Sequence, residues 1–255
     1  MNSIPSIFPN GAKAAVSMTY DDGLDAHLDR AIPDLEAANL RGTFYVPTRT
    51  PPPANCWSTR VGEWRSAAER GHEVGNHSQY HPCSAAWAKP NFKLEAYSLA
   101  RMEQELAAAN TELRAGTGID TPRSYAYPCS QDFVGPDRQS FKPIADRLFP
   151  ASRTGSRRRI IDPMDLDFAA VPSWKMDVET DIDQALSFVD DTIEAGGWAV
   201  FMFHGVGGGH TINVSHEFHR QVCKHIAMHN DEIWCSTFVQ VAMHIRASTR
   251  RPWKP

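Results

Sequence analysis

Histidines and carboxylates follow apolar segments at three points of the chain. Asp21 and Asp22 follow residues 14–19, His77 and His81 follow residues 73–76, and His204 follows residues 198–203. Two histidines four residues apart face one metal ion if the turn between them is helical, and an aspartate from a neighbouring strand adds a third ligand. Three protein ligands leave a position for water, and a divalent ion lowers the pKa of that water towards neutrality. Each pattern is weak by itself, since Asp-Gly marks turns and single histidines are commonly structural. Together they predict metal-assisted hydrolysis.

The elements that position these residues alternate between strand and helix. The apolar pattern predicts strands at residues 14–19, 42–46, 73–76, 124–127 and 198–203, and helices at residues 28–39, 61–70, 93–115, 181–194 and 215–228. Such alternation favours a parallel sheet, either closed as a barrel or open and doubly wound. In both folds the functional site lies at the carboxyl ends of the strands, where the three polar segments stand.

Composition excludes several classes of protein. The chain has 255 residues, a net charge of −4 and a hydrophobic fraction of 42%, which is typical of a soluble globular protein. The acidic balance argues against a nucleic-acid partner. The longest apolar run, residues 198–203, is too short to span a membrane. Residues 1–13 show no signal-peptide pattern, which leaves a cytoplasmic protein or an exported one whose signal has been removed. The oligomeric state stays open.

The five cysteines are odd in number and contain no C-x-x-C pair. This argues against a disulfide framework and against a thiolate zinc site, although one surface disulfide remains possible. We expect Cys129 to be a packed or partly exposed thiol and not a nucleophile.

Three motifs resemble those of a known family. Residues 18–23 (MTYDDG) resemble the T-F-D-D-G motif of the NodB-like polysaccharide deacetylases, carbohydrate esterase family four. Residues 77–82 (HSQYHP) resemble their H-[S/T]-x-x-H-P motif, and residues 202–204 (MFH) their late L-x-H motif. The resemblance implies an α/β fold, a distorted (β/α) barrel of the NodB-homology type. It implies a single catalytic domain over residues 1–255, with a core of about residues 14–246.

The resemblance assigns roles residue by residue. Asp22, His77 and His81 would bind a divalent metal, with zinc expected. Asp21 would be the general base and His204 the general acid. The division is chemically sensible, because a carboxylate bound to a cation stays anionic while its neighbour is free to move protons.

The third motif of the family, usually R-x-P-[F/Y], corresponds to residues 125–130 (YAYPCS). Ala126 stands where the arginine that orients the base would be, and Arg123, Arg153 or Lys175 are candidates to replace it. Cys129 stands at the aromatic position, whose backbone N–H helps to bind the oxyanion in the family; that role needs no particular side chain.

Further residues have both a supporting and a purely structural interpretation. Ser78 would support His81 or stabilise its turn. Trp174 would line the sugar site or pack in the core. Asp177 would orient His204 or lie in a surface loop. Tyr127 and His210 are further candidates near the substrate. Trp57, Trp87 and Trp174 could stack on sugars, with burial as the default. On the predicted helix 215–228, the pairs His216–His219 and His225–His229 have chelating spacing, but ordinary surface histidines are favoured.

The sequence therefore predicts a metal-dependent hydrolase that removes acetyl groups from a carbohydrate. The bond is an N-acetyl amide or an O-acetyl ester, as in chitooligosaccharide, peptidoglycan or acetylxylan. Two alternatives remain: a hydrolase of the same fold acting on a small cyclic amide, because Ala126 breaks the usual pattern, and a non-catalytic carbohydrate-binding relative.

Overall fold

The computed structural model describes residues 7–50, 54–86 and 91–254. The strands are β1 Ala14–Asp21, β2 Gly42–Val46, β3 Glu73–Asn76, β4 Tyr125–Ala126, β5 Phe133–Val134, β6 Gln139–Ser140, β7 Ser152–Ser156, β8 Val171–Lys175, β9 Trp198–Phe203, β10 Gly205–Val206, β11 Asn213–Val214 and β12 Ile233–Cys235. The α-helices are α1 Ile32–Ala37, α2 Trp57–Glu69, α3 Leu99–Thr117, α4 Lys142–Leu148, α5 Ile182–Ala195, α6 His216–Met228 and α7 Phe238–Ser248.

Seven parallel strands close into a barrel in the order β1, β2, β3, β4, β7, β8, β9 and back to β1. The closing pair is β1 with β9, in register from Ala15 opposite Trp198 to Tyr20 opposite Phe203. Strand β12 pairs with the first residues of β1, whereas β2 pairs with the last ones, so both use one edge of β1. The structure confirms the predicted single-domain barrel and excludes the open sheet.

The barrel strands β1 and β9 are buried along their whole length, as expected for parallel strands covered on both faces. Side chains alternate along β1, and this alternation positions the site. The Tyr20 ring stacks between Phe44, at 4.7 Å, and Phe203, at 5.3 Å, in the hydrophobic core. The next residue, Asp21, consequently turns its carboxylate to the opposite side, where it meets β7.

Several boundaries differ from the predicted ones for identifiable reasons. Helix α3 begins at Leu99 because the Ser98 side chain accepts a hydrogen bond from the N–H of Arg101 and caps it, and Leu94–Ala96 form a separate 3-10 turn. Helix α2 begins at Trp57, four residues early. Strand β7 was not predicted because its sequence, Ser-Arg-Thr-Gly-Ser, is polar. Among the described residues, no helix is both long and apolar enough to cross a membrane.

Candidate active site

Six polar residues come together at the carboxyl ends of β1, β3 and β9, and one of them reaches in from the start of β7. This group, called the barrel-top cluster below, consists of Asp21, Asp22, His77, His81, Arg153 and His204. Asp22 Oδ1 lies 3.2 Å from His81 Nε2 and 3.7 Å from His77 Nε2. The three possible ligand atoms all lie within 4.8 Å of one another. One ion could therefore contact all three side chains.

The turn that carries His77 and His81 is not helical. Their spacing predicts a shared metal ion only for a helical turn. Ser78 and His81 have φ angles of 64° and 54°, and Asp22 has a φ of 79°. The N–H of His81 donates to Ser78 Oγ at 3.0 Å, so Ser78 stabilises the turn, which is the second of its two interpretations. Left-handed backbone costs about 1–3 kcal/mol at a residue with a side chain and is concentrated at functional sites. Here it aims His77 and His81 at the same carboxylate.

His77 is held in the form that a metal ligand needs. Its Nδ1–H donates to the carbonyl of Ala126 at 2.8 Å, which leaves the lone pair of Nε2 facing Asp22. Burial lowers the pKa of His77 to about 4, so its ring is neutral at neutral pH. Two imidazoles and one carboxylate are a donor set that fits zinc or another divalent transition metal.

Asp21 is paired with a buried arginine. Arg153 Nη2 lies 2.6 Å from Asp21 Oδ1 and 2.5 Å from Oδ2, and both side chains are almost fully buried. Burial alone would raise the pKa of Asp21, but the positive charge of Arg153 outweighs it and holds the pKa below its usual value. Asp21 is therefore an oriented anion.

Of the three cations predicted as replacements for the third-motif arginine, Arg153 is the one that contacts Asp21. Ala126 on β4 pairs in register with Arg153 on β7, so the guanidinium projects from the strand next to the expected one. The other two candidates lie elsewhere: Arg123 donates to the carbonyls of Val74 and Ile119, and Lys175 pairs with Asp177.

His204 completes the cluster at the end of β9. Its Nε2 lies 3.9 Å from Asp21 Oδ2. His27 accepts the N–H of Leu24 at Nδ1, so its Nε2–H donates to the carbonyl of His204 at 2.8 Å and fixes the backbone. Burial lowers the pKa of His204. Its Nδ1 is buried and has no hydrogen-bond partner within the described residues.

Asp177 does not orient His204. Its carboxylate lies 2.8 Å from Lys175 Nζ and accepts the N–H of Glu179, because it closes the turn after β8. His210, in contrast, does border the site. Its Nε2 is 3.7 Å from Asp22 Oδ2, and its ring stacks on that of His204 at 4.9 Å.

Cys129 is not the thiol that its sequence context predicts. It forms a disulfide with Cys83, with the two Cα atoms 5.9 Å apart. The bond joins the loop after His81 to the loop of the third motif, where Cys129 has a φ of 53°. Cys83 Sγ also lies 3.6 Å from His81 Nδ1. The disulfide thus fixes the position of a possible ligand relative to the possible oxyanion donor.

Three aromatic candidates do not project into the cluster. The hydroxyl of Tyr127 donates to the carbonyl of Ala169 in the core. Trp174 packs edge-on against Phe188 and is half-buried. Trp57 is buried in the main core, and Trp87 lies outside the described residues.

Two residues that the sequence analysis missed support the histidine turn. Asn76 Oδ1 accepts the N–H of Ser78 at 2.7 Å, and the buried Glu105 accepts the N–H of Tyr80 at 3.1 Å. Burial raises the pKa of Glu105. The sequence feature that could have identified Glu105 is its place on the apolar face of α3, where a buried charged residue needs a partner.

Comparisons with known proteins concern the family and the fold of the chain. Residues 9–133 match the family model described as polysaccharide deacetylase. No curated protein matches the chain. Among solved structures, a candidate polysaccharide deacetylase from Mycobacterium smegmatis is 17% identical with a TM-score of 0.64, covering 100% of this chain and 98% of that one.

Two further similar structures are described as an esterase and as a pseudoenzyme. A family 4 acetyl xylan esterase from Clostridium thermocellum, in complex with a cobalt ion, is 19% identical with a TM-score of 0.55, covering 94% of this chain and 97% of that one. A CE4 family pseudoenzyme from Bacillus anthracis is 16% identical with a TM-score of 0.55, covering 90% of this chain and 65% of that one. At such low identity these likenesses concern the fold, and the fold by itself does not establish activity.

Proposed function

Because the chain belongs, through residues 9–133, to the polysaccharide deacetylase family, we propose that it hydrolyses acetyl groups from a carbohydrate at the barrel-top cluster with the help of a divalent metal ion. The substrate class is an N-acetylated or O-acetylated sugar polymer or oligomer. Zinc is the preferred ion, on the grounds of the donor set.

One observation carries the proposal: possible metal ligands and a separate, charge-paired carboxylate occur side by side. Asp22 faces His77 and His81, while the adjacent Asp21 is held by Arg153. A structural metal site would have no need of the second carboxylate. A carboxylate next to the ion and free of it can accept a proton from the attacking water.

In this proposal Asp22, His77 and His81 hold the ion. A bound divalent ion supplies Lewis-acid polarisation and a water of lowered pKa. Asp21 takes the proton of the attacking water, and Arg153 fixes the direction of its oxygens. Asp21 remains anionic at neutral pH, because its pKa is lowered.

His204 gives a proton to the departing amine or alcohol. Its position 3.9 Å from Asp21 allows both groups to face one reacting centre. Its neutral ring takes up this proton from solvent before the water attacks, while Asp21 and Asp22 are both anionic and favour the charged ring. The backbone N–H of Cys129 would donate to the oxyanion on the acetyl carbonyl, a contribution that is typically worth several kcal/mol in acyl transfer.

The direct test is acetate release by the full-length protein after chelation and reconstitution with zinc or cobalt. Acetylated xylan, chitooligosaccharides and peptidoglycan separate the ester from the amide substrates. We expect acetate from at least one of them, dependent on the added metal.

Two results would contradict the proposal. The first is a protein that binds one ion at the barrel-top cluster and releases no acetate from any of the three substrates; this would favour a binding protein or the small cyclic amide. The second is undiminished release after complete removal of the metal.

A further inference from the structure

A second group of possible metal ligands lies in the helix layer outside the barrel. Asp190 on α5, His225 on α6 and His229 at the end of α6 form this group, called the helix-pair cluster below. Asp190 Oδ1 lies 2.7 Å from His225 Nε2 and 3.7 Å from His229 Nε2. The three possible ligand atoms lie within 4.8 Å of one another, and the histidine rings are 4.9 Å apart.

The positions follow from helix geometry. Residues four apart lie on one face of a helix, so His225 and His229 project to the same side of α6. Helix α5 packs beside α6 and presents Asp190 to that side. The arrangement brings one oxygen and two nitrogens from two separate helices to a point.

A carboxylate on the far side of His229 strengthens the argument. His229 Nδ1 lies 3.4 Å from Glu232 Oε2, while its Nε2 faces Asp190. A carboxylate behind a histidine ligand fixes the ring, selects the nitrogen that faces the metal and increases its basicity. Glu232 is itself held by Lys13 at 2.6 Å, just before β1.

We propose that the helix-pair cluster binds a divalent transition-metal ion, with zinc as the best match, as a second site independent of the barrel-top cluster. Two imidazoles and a carboxylate favour zinc over calcium or magnesium, which prefer oxygen ligands. His225 binds as the tautomer that carries its proton on Nδ1, so its hydrogen bond to Asp190 gives way to the ion. The side chains of His225 and His229 are 15% and 31% exposed, so the site is open to ions from solution.

A bound ion would brace the outer layer of the barrel. It would join α5 to the end of α6, and through Glu232 and Lys13 to the start of β1. Because the ion binds only the folded arrangement, zinc should raise the melting temperature through this site.

The experiment counts zinc ions per chain by equilibrium dialysis of the full-length, tag-free protein. We expect two for the wild type and one for Asp190→Asn. Asp191→Asn is the matched control, because it removes the same charge from the next residue, which pairs with Arg158, and it should keep two. Acetate release should be the same for Asp190→Asn as for the wild type.

A background that lacks the first site makes the count unambiguous. Asp22→Ala/His77→Ala should bind one zinc, and adding Asp190→Asn should reduce this to none. Retention of one ion by the triple variant, or of two by Asp190→Asn, would overturn the proposal. So would a zinc-induced rise in melting temperature that is equal in the wild type and Asp190→Asn, and this measurement remains decisive if the background variants fold poorly.

Discussion

The barrel-top and helix-pair clusters share a ligand pattern and differ in their surroundings. Each has two histidines four residues apart and an aspartate from a neighbouring element. The shorter and longer aspartate–histidine distances are 3.2 and 3.7 Å in the first, and 2.7 and 3.7 Å in the second. A ligand set of this kind can thus arise twice in one chain, and the ligands alone do not define an active site.

Backbone conformation is the first difference. His225 and His229 lie on a regular helix and its cap, which need no unusual angles. His77 and His81 reach the same relative placement through a loop with left-handed residues, locked by Asn76 and by the disulfide of Cys83. Strain of this kind persists only where the surrounding structure imposes it.

Neighbouring groups are the second difference. The barrel-top cluster adds the Asp21–Arg153 pair and His204 beside the ligands. The outer partner of the helix-pair cluster, Glu232, lies behind a ligand and faces no reacting position. We therefore interpret the first as chemical and the second as structural.

The largest difference between the clusters should come from replacing the aspartate of each, Asp22 or Asp190, by alanine in separate variants. Asp22→Ala should reduce acetate release to background, because the ion and its polarisation of the acetyl carbonyl are lost together. Asp190→Ala should leave turnover unchanged. Initial rates at saturating zinc check both, and equal rates in the two variants would refute the division of roles.

Asp21→Asn separates ligand from base within the barrel-top cluster. The amide cannot accept the proton, so we expect kcat to fall by about 10²–10⁴, while the zinc content stays that of the wild type. Metal analysis and kcat are measured on the same sample. Near-normal turnover would remove Asp21 from the base role, and loss of the ion would make it a ligand instead.

Arg153→Met tests the displaced arginine. It leaves the Asp21 carboxylate buried without its cation, which should cost about 3–5 kcal/mol of unfolding free energy and lower kcat with little change in KM. Urea unfolding and steady-state kinetics measure the two. Arg123→Met is the control, because Arg123 is also buried but donates to backbone carbonyls. The prediction fails if Arg123→Met lowers kcat in folded protein as much as Arg153→Met does.

Cys83→Ala tests the disulfide without touching the backbone N–H of Cys129. Removing a crosslink that spans 46 residues should cost about 2–4 kcal/mol and lower kcat, because the oxyanion loop is no longer fixed relative to His81. A reductant should affect the wild type and not the variant. Cys56→Ala, at a free buried thiol, is the control; a response of Cys83→Ala to reductant would contradict the assignment.

The parts of this molecule that were predictable have strong local signals. Continuous apolar runs identified β1 and β9, and the polar residues after them identified the site edge. The link between Cys83 and Cys129 was not predictable, since spacing does not determine pairing. Likewise Arg153, one of three candidates, was selected only by its register with Ala126, which depends on the pairing of β4 and β7. The choice between the two interpretations of Asp177 was also inaccessible, because it depends on where β8 ends.

The smallest effect should come from the outer carboxylate of the helix-pair cluster. His77 is oriented by a backbone carbonyl, which no substitution removes, but His229 is oriented by the side chain of Glu232. Glu232→Gln keeps the shape and removes the charge, so zinc affinity at this cluster should fall about tenfold, with the barrel-top affinity unchanged. Zinc titrations of the Asp22→Ala/His77→Ala background measure the difference. Asp231→Asn, one residue away, should have no effect, and an equal loss of affinity there would mean that general surface charge, not orientation of His229, governs binding.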